Sequence, residues 1–217
     1  DPRAADVMTE PQSPPPISTP PPALRLADLV RELPGASVRW PQAVTVLTGV
    51  RHDSRAVGAG DLFVAREGGK VSGLGFVDAA VARGASAVLT RRGALSESPG
   101  VPVIEVDDVP LGLALASSAV YGHPTFGLDV VGITGTNGKT TTSELVYELL
   151  NRAGSPTGKI WTLGWAFGGE GGKTTHTSPE ADELARIARR MVTRGATHLT
   201  MEVSSIALSY KRVDGVR

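Results

Sequence analysis

The chain has 217 residues, 41% hydrophobic and 20% charged, which suits one large globular domain or two small ones. Its 22 basic and 22 acidic side chains cancel. That argues against a nucleic-acid-coating protein, which needs a basic surface to displace phosphate counterions. Cysteine is absent, excluding disulfides, thiolate catalysis and cysteine metal sites.

No apolar run approaches bilayer length; the best, Leu111 to Val120, is short and carries Gly112, Ser117 and Ser118. The N-terminus lacks a charged region followed by an apolar signal core, and the chain begins with Asp1 rather than Met. The expectation is a cytoplasmic protein without membrane insertion or nucleic-acid partner. Seventeen arginines against five lysines read as the imprint of a GC-rich genome.

Residues 1–23 contain Pro14-Pro15-Pro16 and Pro20-Pro21-Pro22. Proline removes backbone donors and favours extended polyproline II, so this stretch reads as a disordered tail. Leu24, Leu26, Leu29, Val30 and Leu33 predict a short helix stopping before Pro34-Gly35. Val44–Val50 and Asp61–Ala65 read as strands, and Phe76, Ala79, Ala80 and Val81 as one helical face closed by Gly84. Ala87–Leu89 and Val101–Val106 are further buried strands, followed by a small-residue helix over Leu111–Tyr121. Alternation of strand and helix predicts an α/β domain over residues 24–127 with a partly parallel sheet. Gly122-His123-Pro124-Thr125 reads as a linker with a solvated histidine.

A second α/β unit spans residues 128–217. Val130–Thr134 is a strand and Thr140–Arg152 a helix with Leu145, Val146, Leu149 and Leu150 inward, ended by Gly154. Ser178-Pro179-Glu180 has the form of a helix start, with a cap, a proline at the first position and an acid in the first turn. Leu184, Ile187, Ala188, Met191 and Val192 recur at helical spacing up to Gly195, and His198–Val203 is a strand.

Between the first strand and helix of this unit stands Gly135-Thr136-Asn137-Gly138-Lys139-Thr140. The two glycines let the backbone turn its N–H groups inward, and the helix adds the positive end of its dipole, which makes an anion site. Lys139 can reach the β- and γ-phosphates of ATP, and the Thr140 hydroxyl can ligate Mg²⁺. The spacing is short: glycine at 133 would complete the commoner pattern, and Ile133 stands there. Glu202 lies at the carboxyl end of a strand in the same sheet, the ligand-binding edge of an open α/β fold. From there it could hold Mg²⁺ on ATP, although a glutamate ending a strand is otherwise merely solvated.

Thr134–Thr142, followed by Met201-Glu202-Val203-Ser204-Ser205, resembles the muramyl ligases of peptidoglycan synthesis. Three further stretches resemble the branch that adds the third residue, diaminopimelate or lysine, to UDP-N-acetylmuramoyl-L-alanyl-D-glutamate. They are His52-Asp53-Ser54-Arg55 with Gly60–Ala65, then Thr174–Glu180, then Arg212–Gly215. The resemblance runs from about Leu24 to Arg217 and implies an ATP-binding central domain with a mostly parallel sheet, cut short at Arg217. A sheet so shortened would expose an edge and apolar surface.

The resemblance also implies roles. Gly135, Thr136, Asn137, Gly138, Lys139, Thr140 and Thr141 would bind ATP, with Lys139 and Glu202 catalytic and Thr140 and Glu202 serving Mg²⁺. Ser54 would meet the UDP part of the substrate, and Thr177, Ser178, Ser204 and Arg212 its muramoyl-peptide side. The partners implied are small molecules, a UDP-muramoyl-dipeptide and a diamino acid, for a monomeric enzyme; composition leans toward diaminopimelate. Read without the resemblance, Arg212 beside Lys211 is a solvated surface pair. The chain departs from the family at Ile206 and within Gly68–Gly73, where histidine is usual, and at Trp161, where glycine is usual. Two other readings stand beside this one: a different ligase of the superfamily, such as folylpolyglutamate synthetase, and a non-catalytic ATP- or UDP-sugar-binding fragment.

Overall fold

A computed structural model describes residues 23–66 and 72–217. The proline-rich segment up to residue 22 and positions 68–71 of the departing loop lie outside the described residues. The chain opens with β1 (Leu24–Arg25) and α1 (Leu26–Glu32), then β2 (Ser37–Arg39), β3 (Val46–Leu47) and β4 (Gly49–Arg51). The helix expected from Leu24 thus starts two residues later, because Leu24 pairs with Leu47 in a short antiparallel ladder. The strand expected over residues 44–50 is two strands. β3 faces β1, and the chain switches sheets at Thr48, whose N–H donates to the Gly60 carbonyl at 2.9 Å.

After a 3-10 turn at Ser54–Ala56 come β5 (Asp61–Val64), α2 (Val77–Ala82), β6 (Ala87–Arg91), β7 (Val103–Val106) and α3 (Val109–Val120). Asp108 starts α3 by accepting from the Leu111 N–H at 3.0 Å, with Pro110 in the first turn, a position where the missing proline N–H costs nothing. The first sheet has the order β2-β7-β6-β5-β4, parallel except for β2.

The second unit runs β8 (Asp129–Ile133), α4 (Lys139–Arg152), β9 (Thr157–Trp161), β10 (Gly164–Phe167), β11 (Glu170–Gly172), α5 (Ala181–Thr193), β12 (His198–Glu202) and α6 (Ser205–Ser209). Its sheet has the order β11-β10-β9-β12-β8. β9, β12 and β8 are parallel, and β10 and β11 extend the sheet antiparallel. The α/β class with mostly parallel sheets is as expected.

Leu29, Leu62, Leu89, Ile104 and Leu113 centre the first core, and Ile160, Leu184, Met191, Leu199 and Met201 the second. Each such side chain contributes roughly 1.5–3 kcal/mol by leaving water. α5 belongs to both. Its Ala181 and Ala185 sit in the first core, while Leu184, Ile187 and Met191 sit in the second.

Three local expectations need correction. Leu145 and Leu149 of α4 are 59% and 66% exposed, not inward. The helix rests over the sheet, mainly on β9 and β12, with Ser143 buried and Val146 and Leu150 only half-buried, so the Leu145–Leu149 stripe is turned outward from that contact. Ser178 does not cap α5, which begins at Ala181 after Glu180; the serine hydroxyl is taken up elsewhere. His123 is not a free linker histidine. It adopts left-handed backbone (φ 48°), its Nε2 lies 3.0 Å from Glu32 Oε2, and its Nδ1 lies 3.2 Å from Ser118 Oγ.

Candidate active site

The loop between β8 and α4 needs glycine for conformation rather than for space. Gly135 and Gly138 have φ of 145° and 83°, values that strain any residue with a Cβ. Neither position is crowded: a Cβ on Gly135 would come no nearer than 3.6 Å to the Asn137 carbonyl, and one on Gly138 would meet nothing. Gly138 is the N-cap of α4 without a side-chain hydrogen bond, so the first amides of a fourteen-residue helix carry no side-chain cap from it. Lys139 Nζ donates to the Gly135 carbonyl at 2.7 Å, folding the lysine across its own loop. Thr136, Asn137, Thr140 and Thr141 are exposed on this rim.

Glu202 stands beside that loop by register. In the parallel β12–β8 ladder it pairs with Ile133, the last residue before the loop, and the Val203 N–H donates to the Ile133 carbonyl at 2.8 Å. Its side chain is fully buried. Oε2 accepts from Thr162 Oγ1 at 2.7 Å, whereas Oε1 has no hydrogen-bond partner among the described residues. An unpaired buried carboxylate oxygen is costly unless a cation or donor meets it.

Behind Glu202 a serine pair ties two segments together. Ser178 is buried, its Oγ donates to the Glu202 carbonyl at 3.0 Å, and it accepts from the Ser204 N–H at 3.0 Å. Ser204 Oγ in turn caps α6 by accepting from the Ala207 N–H at 3.1 Å. The Ser178 hydroxyl therefore points into protein rather than offering a free donor. Thr177, just before it, is half-buried.

On the other side of Ser178 lies a cleft of about 1090 Å³ between the two units, lined by His52, Ser54, Arg66, Phe76, Glu180 and Arg212 among others. Arg212 is not a solvated surface residue. Its Nη1 donates to the Ser178 carbonyl at 3.0 Å and its Nη2 lies 2.7 Å from Glu180 Oε1. Its Nε is buried without a partner among the described residues. The second oxygen of Glu180 takes Arg66 Nη1 at 2.7 Å. Two guanidinium groups, one from each unit, thus share one buried carboxylate, leaving an excess positive charge at the cleft.

A second cross-unit contact joins His52 to Asp182. The imidazole Nδ1 lies 2.8 and 2.9 Å from the two carboxylate oxygens, and the His52 N–H donates to Oδ2 at 3.3 Å. Burial alone would lower the His52 pKa, but the Asp182 hydrogen bond and charge outweigh it and leave it raised. Burial likewise pushes Asp182 up, and the His52 contacts hold it below its usual value. Next along the turn, Asp53 is lowered to about 2, chiefly by its hydrogen bond to Arg55.

Of the residues expected on the substrate side, Ser54 and Arg212 line this cleft, whereas Thr177, Ser178 and Ser204 do not, the two serines being spent on the bonds just described. Sequence reasoning missed Arg66, Glu180, His52, Asp182 and Thr162. Their partners lie 114, 130 or 40 positions away along the chain, beyond any local spacing rule. The one available signal was the paired acids Glu180 and Asp182 following Pro179.

Comparison with known proteins bears on both units. Residues 46–121 match the catalytic-domain model of the Mur ligase family, and residues 133–217 match the Mur ligase middle domain. The chain belongs to the Mur ligase family. One Mur ligase relative, the UDP-N-acetylmuramoyl-L-alanyl-D-glutamate--2,6-diaminopimelate ligase of Geobacter metallireducens, is 42% identical over 195 residues, which is 89% of this chain and 38% of the relative. A solved Mur ligase structure of the same name superposes with a TM-score of 0.69 at 26% identity, over 89% of this chain and 38% of that one. A Mur ligase of the MurF type from Thermotoga maritima, solved in complex with ADP, matches with a TM-score of 0.51 at 26% identity, over 72% of this chain and 32% of that one. The chain thus spans well under half the length of the Mur ligases it matches. Among the described residues no helix is long and apolar enough to cross a membrane.

Proposed function

We propose that this chain supplies the nucleotide-sugar and ATP sites of a ligase that adds the third amino acid, diaminopimelate rather than lysine, to UDP-N-acetylmuramoyl-L-alanyl-D-glutamate. Glu202 carries the reading: a fully buried carboxylate with one free oxygen, in register with the start of the Gly135–Thr140 loop. Carboxylate and loop together suit a nucleotide triphosphate with its metal. Residues 24–127 form the UDP-binding domain and residues 128–217 part of the ATP-binding domain.

In this reading the amides of Gly135–Thr141 and the N-terminus of α4 bind the ATP phosphates, and Lys139 swings from the Gly135 carbonyl to the transferring group. Thr140 and Glu202 would hold Mg²⁺, which supplies positive charge to the phosphate oxygens. Among the described residues no cluster of three or more acids and histidines could hold a metal unaided. That fits Mg²⁺, which takes one or two protein ligands and completes its shell with phosphate and water. Ser54 faces the UDP part of the substrate across the cleft from Arg212, whose charge suits a carboxylate or phosphate. Thr177 and Ser204 bound the muramoyl-peptide side, and Ser178 holds Arg212 and Glu202 in fixed relation.

The reaction takes the γ-phosphoryl group of ATP onto the D-glutamyl γ-carboxylate. A carboxylate is a poor electrophile at neutral pH, and the acyl phosphate supplies a leaving group. Attack by the incoming amine then releases phosphate. At 38% of a relative's length, the 217 residues taken alone fit the narrower description of an ATP- and UDP-sugar-binding module, and ligation belongs to the full-length protein. Phosphate release by the full-length protein, with each substrate omitted in turn, tests the proposal. Release only with all three present is expected; hydrolysis that ignores the muramoyl substrate overturns it.

A further inference from the structure

The cleft is framed by one helix fixed in two cores and one short turn whose far end is anchored by the buried Val57. α5 is fixed, because Ala181 and Ala185 are packed into the first core and Leu184 and Ile187 into the second. Asp182, the second residue of that helix, is therefore a stationary post. The turn that carries Ser54 is different. It is a three-residue 3-10 helix with no buried residue, closed by the Asp53 side chain on the Arg55 N–H at 2.9 Å and by the Ala56 N–H on the Asp53 carbonyl at 3.0 Å. Both bonds shape the turn internally, and neither ties it to the rest of the fold.

His52 is the residue before that turn, and it spends both its backbone N–H and its ring Nδ1 on Asp182. We infer that His52, through Asp182, is a positioning residue for the nucleotide-sugar side of the cleft. The pair holds the Asp53–Ala56 turn, and Ser54 with it, against the start of α5, and holds it most firmly when the imidazole is protonated at both nitrogens. This rests on Ser54 as a substrate contact.

The surroundings fix the sign of the proton dependence. His52 faces Asp182, Glu180 and the neighbouring Asp53, which favour its cation, and Arg66, which opposes it. Asp182 also feels the positive charge of Arg51 from β4, which favours the carboxylate alongside the His52 contacts. A doubly protonated imidazole gives Asp182 a charge-assisted hydrogen bond. Losing the Nε2 proton leaves the Nδ1–H bond in place but removes the charge, weakening the bond without breaking it. A neutral bond is worth about 1 kcal/mol less than a charged one, about five-fold in an equilibrium constant.

Binding of UDP-N-acetylmuramoyl-L-alanyl-D-glutamate to the chain, measured calorimetrically between about pH 6 and 9 so as to bracket the histidine range, tests the inference. Affinity should fall by about five-fold as pH rises through the imidazole midpoint. His52→Gln should bind about five-fold more weakly at the acidic end and show no slope, with ATP affinity unchanged. A merely structural histidine would lower affinity at every pH and leave the slope intact. A His52→Gln protein that binds as tightly as the parent at the acidic end, or keeps its pH slope, overturns the inference. Should that variant not fold, Asp182→Asn, which preserves shape and an acceptor, carries the same comparison. If the parent binds no nucleotide sugar at any pH, the functional reading of the cleft fails. Amide exchange over residues 54–57 then decides the positioning role: faster exchange in the variant sustains it, and equal exchange removes it.

Discussion

Ser178 donates its hydroxyl to the Glu202 carbonyl at 3.0 Å while its own carbonyl accepts from Arg212 at 3.0 Å. One buried residue therefore spaces the carboxylate beside the phosphate loop from the guanidinium of the cleft. The two halves of the proposed reaction, phosphoryl donor and carboxylate acceptor, need such a fixed separation because near-attack geometry tolerates little slack.

Lys139 is expected to matter for ATP and for little else. It is partly exposed and bonds only a loop carbonyl, so Lys139→Ala should leave thermal stability within about 0.5 kcal/mol. Equilibrium ATP binding should weaken by roughly 10- to 100-fold, the worth of one or two charge-assisted hydrogen bonds. A variant with parental ATP affinity would remove the phosphate-loop assignment.

Glu202→Gln separates metal binding from stability. The amide keeps an acceptor for Thr162 and removes a buried charge whose second oxygen lacks a partner. Without metal and nucleotide, the variant should melt at or above the parent's temperature, since burying an uncompensated charge is unfavourable. The parent's stabilisation by Mg²⁺ with ATP should be lost in the variant. Thermal melts with and without Mg²⁺–ATP measure both.

Glu180→Ala is expected to be the most damaging of these changes. It leaves the half-buried Arg66 and Arg212 without the carboxylate they share. Breaking a buried pair from one side typically costs about 3 kcal/mol or more, visible as a shifted urea midpoint with unchanged slope. A loss below about 1 kcal/mol would place the pair in the solvent-screened class.

The His52–Asp182 contact should also appear in stability against pH. A histidine whose folded pKa is raised contributes fully below its unfolded value and loses that contribution as pH rises through the folded one. An aspartate whose folded pKa is lowered contributes above its unfolded value and loses it as pH falls through the folded one. The pair is therefore strongest between the ordinary aspartate and histidine values, about pH 4 to 6.5. The stability gap between the parent and His52→Gln should peak there, at about 2 kcal/mol, and narrow toward pH 9 and pH 2. Denaturant midpoints across that range check it.

Much of the fold was legible because burial leaves periodic marks. β5, β6, β7 and β12 read as apolar runs, and α3 and α5 as helices, each within a few residues of their observed bounds. The β10–β11 extension was not legible. Its strands include Gly164, Gly169 nearby and Gly171-Gly172, composition that reads as turn, and it forms only because β9 offers an edge. The apolar stripe of α4 was misread because spacing tells which residues share a face, not whether a sheet lies beneath it. At the site, the glycine turn between β8 and α4 could be read from a contiguous motif, whereas Arg66–Glu180 and His52–Asp182 are joined only by tertiary folding. Trp161 shows the same limit. Its ring and that of Tyr147 each lie 4.4 Å from Lys159 Nζ, which pairs with Glu144 at 2.8 Å, a local cage with no trace in the linear pattern.

Because α5 contributes alanines to one core and leucine, isoleucine and methionine to the other, neither unit can lose this helix alone. Melting either half strips apolar cover from its neighbour, so heat should release both in one cooperative step, with equal calorimetric and van't Hoff enthalpies. The halves of the cleft then share a common fate: any solution condition that retains the first unit also retains the second.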